Sequence, residues 1–258
     1  MITFSGDLVK YLMMYLLPFV RVSAMMMALP IIGTQLVPGK IRLIFSLALT
    51  YIIVCADQTH LVLPSNTSFF SLFLIVVLQA IIGILMGLVI QIIFQTFMMA
   101  GQIISMQMGL GFASLMDPQN GISVPIVGQL YIMIATLLYL TMNGHLFVIG
   151  ILVDSFAQIP VNQLDFDVLQ IEKFIALGSF MFSYGLKIAL PAVITILITN
   201  ISFGMMTKAA PQLNIFTLGF SITLIAGFAL IYICLSFMSA QFTEVSEMAH
   251  TTLVALIE

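Results

Sequence analysis

The chain has 258 residues, of which 62% are hydrophobic and only 7% charged, with seven bases against ten acids and a net charge of −3. At a mean hydropathy of +1.22 it has too few polar groups to cover a water-facing surface, which excludes a soluble globular protein. Its bases are scattered and form no patch, so a nucleic-acid partner is excluded as well.

Charge-free runs at 58–116, 118–153, 188–207 and 209–243 each reach the roughly 20 apolar residues needed to cross a hydrocarbon core. Lipid cannot satisfy free N–H and C=O groups, so these runs must be helical. A transmembrane barrel would need alternating polar residues, and FLIVVLQAIIGILMGLVIQIIF (73–94) does not alternate. The expected fold is an all-α membrane protein in one domain, with helices at about 8–32, 41–56, 69–108, 125–152, 171–207 and 218–245.

The first segment carries Asp7 and Lys10 and runs past Arg21 without a convincing cleavage site, so it is expected to stay in the protein. It contains Met25, Met26 and Met27 in SAMMMALP (23–30). Unbranched thioethers of this kind serve either as ordinary packing or as a deformable seal around a passage. GTQLVPGKIR (33–42) then breaks the chain with Gly, Pro and two bases, and DQTHLVLPSNTS (57–68) does so again after the second helix. Cys55 and Cys234 lie in apolar sequence without metal-ligand spacing and read as core filler.

The third segment is nearly twice as long as a bilayer core is thick, so it must either break or leave the membrane. Gln91, Gln95 and Gln102 share one of its faces, with Gln79 and Gln107 adding further amides. These glutamines either bond between helices or line a wet channel. Gly83 and Gly87, in GILMG, form a small-xxx-small pair that permits close helix approach.

The segment ends in SMQMGLGFASLMDPQNGISVPI (105–126), where Asp117 is the sole Asp, Glu, Lys or Arg between residues 58 and 153. Gly109 and Gly111 allow unusual backbone conformations, and DPQNG has turn chemistry. Ser123 is the expected N-cap of the next helix, with Pro125 in its first turn. Phe112, Leu115 and Met116 are apolar residues on this loop. The stretch reads equally well as an interfacial turn and as a mobile plug.

In the fifth segment SYGLKIALP (183–191) brings together Gly185, Lys187 and Pro191, which predicts a broken helix or hairpin corner. His145 lacks a carboxylate nearby in sequence and reads as a hydrogen-bonded structural residue rather than a proton relay. Lys208 fits a channel mouth or an interfacial helix end, and Asn143 and Asn214 fit turn or packing positions. No nucleotide-binding loop or HExxH motif occurs, and His60, His145 and His250 lie far apart. A secondary transporter and an intramembrane enzyme are the rival classes. The first lacks a paired inverted repeat and the second a catalytic constellation.

Three segments, GQIISMQMGLGFASLMDPQNG (101–121), NGHLFVIGILVDSFAQIP (143–160) and NISFGMMTKAAPQLNIFTLGF (200–220), resemble the FliR/SctT family of type III secretion export-gate subunits, more closely its flagellar branch than its virulence-secretion relatives. The resemblance runs from the N-terminal helix to the C-terminus. It implies a non-enzymatic, channel-forming subunit without cofactor or metal, present as one copy in a helical assembly with FliP and FliQ. FlhB and FlhA would be further partners and unfolded flagellar proteins the cargo. It also implies residence in the bacterial inner membrane, with part of the complex raised toward the periplasm, and a FliP-like part at roughly 1–125 followed by a part, 126–258, that includes a FliQ-like C-terminus. Residues Gly109, Leu110, Gly111, Phe112, Ala113, Ser114, Leu115, Met116, Asp117 and Pro118 match the family's pore plug. The methionines at 25–27 match a gasket or packing position. The candidate channel or subunit-interface residues are Gln91, Gln95, Gln102, Asn143, Gly144, His145, Lys208, Pro211, Gln212 and Asn214.

Overall fold

The computed structural model describes residues 4–56, 69–111, 113–117, 121, 123–161, 171–209 and 215–257. They form seven helices and one short hairpin: α1 (Phe4–Ala28), α2 (Gly39–Ala56), α3 (Phe69–Gln107), β1 (Ser114–Met116), β2 (Ser123–Pro125), α4 (Ile126–Thr141), α5 (Gly144–Gln158), α6 (Ile171–Ala209) and α7 (Ile215–Ile257). The protein is an all-α membrane protein, as expected. Four helices, within α2, α3, α6 and α7, are long and apolar enough to cross a bilayer. At 39 residues for α3 and α6 and 43 for α7, three of them extend roughly 58–65 Å, about twice the hydrocarbon thickness.

Two expectations about helix continuity are corrected. The segment expected as one helix over 125–152 is two, because Asn143 adopts the left-handed conformation (φ 57°) and ends the i→i−4 ladder. The break expected near Pro191 does not occur, and α6 runs through it. Gly185, Ala189, Ala192 and Ile196 form a buried stripe while Pro191 faces outward. A methyl group on Gly185 would lie 3.3 Å from Thr96 O and Met99 Sδ of α3. Packing along that stripe supports a continuous helix across the one hydrogen bond that proline removes. Two smaller corrections follow: Cys55 is exposed rather than core filler, and Pro125, not Ser123, occupies the N-cap of α4, without a side-chain cap.

The chain divides into two compact units. The first comprises Met1–Gln91, Asn143–Ile175 and Ala249–Glu258, and the second Ile92–Met142 and Ala176–Met248.

In the first unit α1 packs closely on α3 through the expected small-residue pair. A methyl group on Gly83 would collide with the Arg21 carbonyl oxygen, and one on Gly87 would come within 2.5 Å of Ala28 Cβ. Arg21 is itself wholly buried. Its Nε donates to Gln79 Oε1 at 2.7 Å, Nη1 to Ser155 O and Oγ, and Nη2 to Ile159 O at 2.8 Å. The guanidinium lies 4.3 Å above the Phe156 ring. Ser155 and Ile159 close the C-terminal end of α5, where Ile159 N also donates to Ser155 O, so a fixed positive charge meets carbonyls at the negative end of that helix dipole. The ring of Phe147 stacks on His250 with centroids 3.8 Å apart.

In the second unit α3 forms the core, its Phe94 meeting Tyr139 of α4 edge-on and its Phe97 meeting Phe242 of α7. Lys187 of α6 pairs with Glu244 of α7 at 2.6 Å, and the Tyr184 hydroxyl donates to the same carboxylate at 3.2 Å. The charge expected to mark a helix break instead ties two long helices together.

Candidate functional site

The stretch between α3 and α4 forms a hairpin on a rigid base. Helix α3 stops in a Schellman motif: Gly109 is left-handed (φ 78°), its N–H donates to Met106 O at 3.1 Å, and the N–H of Leu110 donates to Ser105 O at 2.9 Å. The buried Ser105 hydroxyl donates to Leu110 O at 3.1 Å, fastening the same two residues from the other side. A methyl group at Gly109 would stand 3.1 Å from the Phe220 ring of α7, and Met108 fits the notch left at Gly227, where a methyl group would come 2.5 Å from its Cε.

Beyond that stop, the N–H of Ala113 donates to Leu110 O and Ala113 O accepts from Ile126 N, bringing the two ends of the stretch together. The strands β1 and β2 then pair antiparallel, Ser114 with Pro125, Leu115 with Val124 and Met116 with Ser123. Val124 is buried in a cluster with Met98 and Ile132, whereas Leu115 is 50% exposed. At the hairpin end Asp117 O accepts from Gly121 N at 2.8 Å, with Gly121 in the left-handed region (φ 70°). Asp117 is fully buried.

The close approach beneath the hairpin is made by glycines. A methyl group on Gly101 would lie 2.7 Å from the Gly128 Cα and 2.8 Å from Val127 O, so α3 and α4 meet backbone to backbone at the point where the hairpin leaves them. This is a close mounting for a hairpin that leaves Leu115 of β1 half exposed.

The profile of the family described as Bacterial export proteins, family 1 matches residues 12–249. A curated relative, the flagellar biosynthetic protein FliR of Escherichia coli (strain K12), is 37% identical over 233 residues, covering 88% of this chain and 85% of that protein. The chain belongs to the FliR family of bacterial export proteins. Similar relatives carrying the same name are those of Pectobacterium carotovorum subsp. carotovorum, 34% identical across 88% of this chain and 86% of that protein, and Buchnera aphidicola subsp. Baizongia pistaciae, 31% identical across 88% and 87%.

For a FliR-family chain, the residues singled out in the sequence are distributed as follows. Gly109, Leu110, Gly111, Ala113, Ser114, Leu115, Met116 and Asp117 all fall in the hairpin and its base, while Phe112 and Pro118 lie outside the described residues. Only Gly109 of the two leading glycines has a positive φ; Gly111 is exposed, and a methyl group on it would come no nearer than 3.6 Å to a neighbour, Met106 Cγ. Met25 and Met26 are buried in the first unit, whereas Met27 is 67% exposed. Gln91, Gln95 and Gln102 are half-buried on α3. Asn143 and Gly144 open α5, where Asn143 O accepts from Leu146 and Phe147. The buried Nδ1 of His145 has no hydrogen-bond partner among the described residues, which departs from the hydrogen-bonded role expected of it. Lys208 is exposed in the last turn of α6, and Pro211, Gln212 and Asn214 lie outside the described residues.

Sequence reasoning passed over Arg21, Ser105, Gly101, Gly128 and Gly227. A base such as Arg21 deep in apolar helix sequence is a readable signal that a partner must exist, though not of which. The glycines carry no such signal, because glycine is common in membrane helices.

Proposed function

We propose that this chain is a structural, channel-forming subunit of the flagellar type III export apparatus in the bacterial inner membrane. In this reading one copy assembles with several copies of FliP and FliQ, part of the complex stands toward the periplasm, and the hairpin closes the pore. Residues 1–125 take the FliP-like place and 126–258 include the FliQ-like part. FlhB and FlhA supply neighbouring components, unfolded flagellar proteins are the cargo, and the subunit itself performs no catalysis.

The observation that carries this reading is the hairpin: an apolar residue of its first strand, Leu115, half exposed, above a base held at Ser105, Leu110, Ala113 and Ile126. A gate must be stiff where it is mounted and apolar where it seals. The buried Asp117 lies at the turn end of the hairpin, its carbonyl accepting from Gly121 N. Further support comes from α6 and α7, which expose Ile194, Ile198, Ile201, Ile225, Tyr232 and Phe237 along helices longer than a bilayer core requires. Apolar surface of that extent demands a cover, and outside the bilayer only other subunits supply one. The flagellar names of the relatives favour the flagellar branch over virulence secretion.

Native mass spectrometry of the chain co-expressed with FliP and FliQ from the same source tests the assembly. One copy of this chain among several of each partner is the expected result, and a monomer indifferent to both overturns it.

A further inference from the structure

In the first unit a cleft of about 260 Å³ opens between α1 and α2. Phe19, Met27 and Leu43 supply apolar walls, and Arg42, Ser46 and Gly39 also border it. A volume near the lower end of the range for small-ligand pockets suits a slender ligand and not a partner helix.

The charge in this cleft is unanswered. Arg42 Nε is buried without a hydrogen-bond partner, and its Nη1 reaches Gly33 O only at a long 3.4 Å. The Ser46 hydroxyl is committed to Arg42 O at 2.8 Å. Among the described residues no carboxylate pairs with Arg42 or with the exposed Lys40.

The start of α2 adds to the same demand. Pro38 O accepts from both Ile41 N and Arg42 N, which leaves the amides of Gly39 and Lys40 in the first turn, where a helix provides no internal acceptor and its dipole favours an anion. Nothing lies within 4 Å of a methyl position on Gly39, so a ligand can approach that backbone. Around the cleft α2 exposes Ile41, Leu43 and Ile44, a face suited to acyl chains.

We propose that this cleft binds an anionic phospholipid, its phosphate held by Arg42 and the first-turn amides of α2, and an acyl chain lying along Phe19, Met27 and Leu43. One ligand then satisfies the orphan guanidinium nitrogen and the apolar walls together, as basic pockets between membrane helices do for acidic head groups. The site does not depend on the hairpin or on any pore role.

The test uses the full chain, purified in neutral detergent and stripped of lipid, with phosphatidylglycerol, phosphatidylcholine and inorganic phosphate compared by native mass spectrometry and thermal unfolding. Phosphatidylglycerol is expected to give retained adducts and to raise the unfolding temperature, with little effect of the other two. Arg42→Gln should weaken phosphatidylglycerol binding about fivefold, the loss expected per base at a membrane surface, while Lys208→Gln leaves it unchanged. Met27→Trp, which fills the cleft and keeps the base, should weaken it too and serves if Arg42→Gln fails to fold. Equal binding of phosphatidylcholine, stabilisation by inorganic phosphate equal to that by the lipid, or unchanged binding in the cleft variants each overturns the proposal. So does loss of lipid binding when a co-purified protein occupies the cleft.

Discussion

Arg21 Nη1 donates to both oxygens of Ser155, the backbone carbonyl at 2.9 Å and the hydroxyl at 3.1 Å. A single guanidinium on α1 thereby closes the end of α5, with Gln79 of α3 as its third neighbour. Arg21→Met would leave Gln79 Oε1 and the Ile159 carbonyl buried without these donors, while Ser155 O keeps only the Ile159 N–H. Unmet buried acceptors cost on the order of 1–3 kcal/mol each when nothing rearranges, so a total loss of about 3 kcal/mol is expected after relaxation. Arg21→Lys should fail to restore it, because an ammonium lacks the planar fork that reaches three residues. Thermal unfolding of the purified chain in detergent measures both.

Gly87 sits against Ala28 where α1 crosses α3. Gly87→Leu should destabilise the chain by about 2 kcal/mol through forced helix separation. Gly178→Ala in α6, where nothing lies within 4 Å, should be neutral or stabilise by up to about 1 kcal/mol, since alanine is the better helix former. The same unfolding assay checks the pair, and equal effects would refute the close crossing.

Gly109 and Gly111 are two residues apart and should respond differently. Gly109→Ala introduces a Cβ into a left-handed conformation, costing about 1 kcal/mol, and crowds the Phe220 ring. Gly111→Ala meets neither obstacle and should leave stability within about 0.5 kcal/mol of the parent. Amide hydrogen exchange at Leu110, whose N–H bonds Ser105 O, should rise in the first variant and stay unchanged in the second.

Leu115 projects from the hairpin at 50% exposure, so Leu115→Asp should unfold at nearly the parent temperature, within about 0.5 kcal/mol. If the hairpin closes a pore, assembled complexes carrying this variant, or lacking residues 110–116, should pass small ions across a membrane that the parent keeps sealed. Single-channel conductance reads this directly. Unchanged conductance in an intact complex would remove the hairpin from the gate while leaving the assembly itself untouched.

Most helices were legible from composition because a membrane leaves the backbone no alternative: charge-free runs of sufficient length must be helical. The GILMG pair was legible for a similar reason, since small residues spaced by four mark a face where backbones can meet. Hydrophobic periodicity could not show the interruption at Asn143, where one left-handed residue suffices and apolar sequence continues on both sides. The two strands escaped notice because three residues each are too few to display a period of two.

The sequence by itself determined that this chain is a helical membrane protein, that its third segment outruns a bilayer, and which stretch resembles a pore plug. Only the tertiary structure decided that α6 survives Pro191, because a buried stripe from Gly185 to Ile196 supports it. It alone paired Lys187 with Glu244, 57 residues along the chain, and found for Arg21 acceptors at 58 and 134 residues' separation. Charge-free runs act locally and can be read from neighbours in sequence. A buried cation in an apolar helix is met by whichever acceptors the packed helices bring beside it, and two of those that meet Arg21 are backbone carbonyls, which every residue shares.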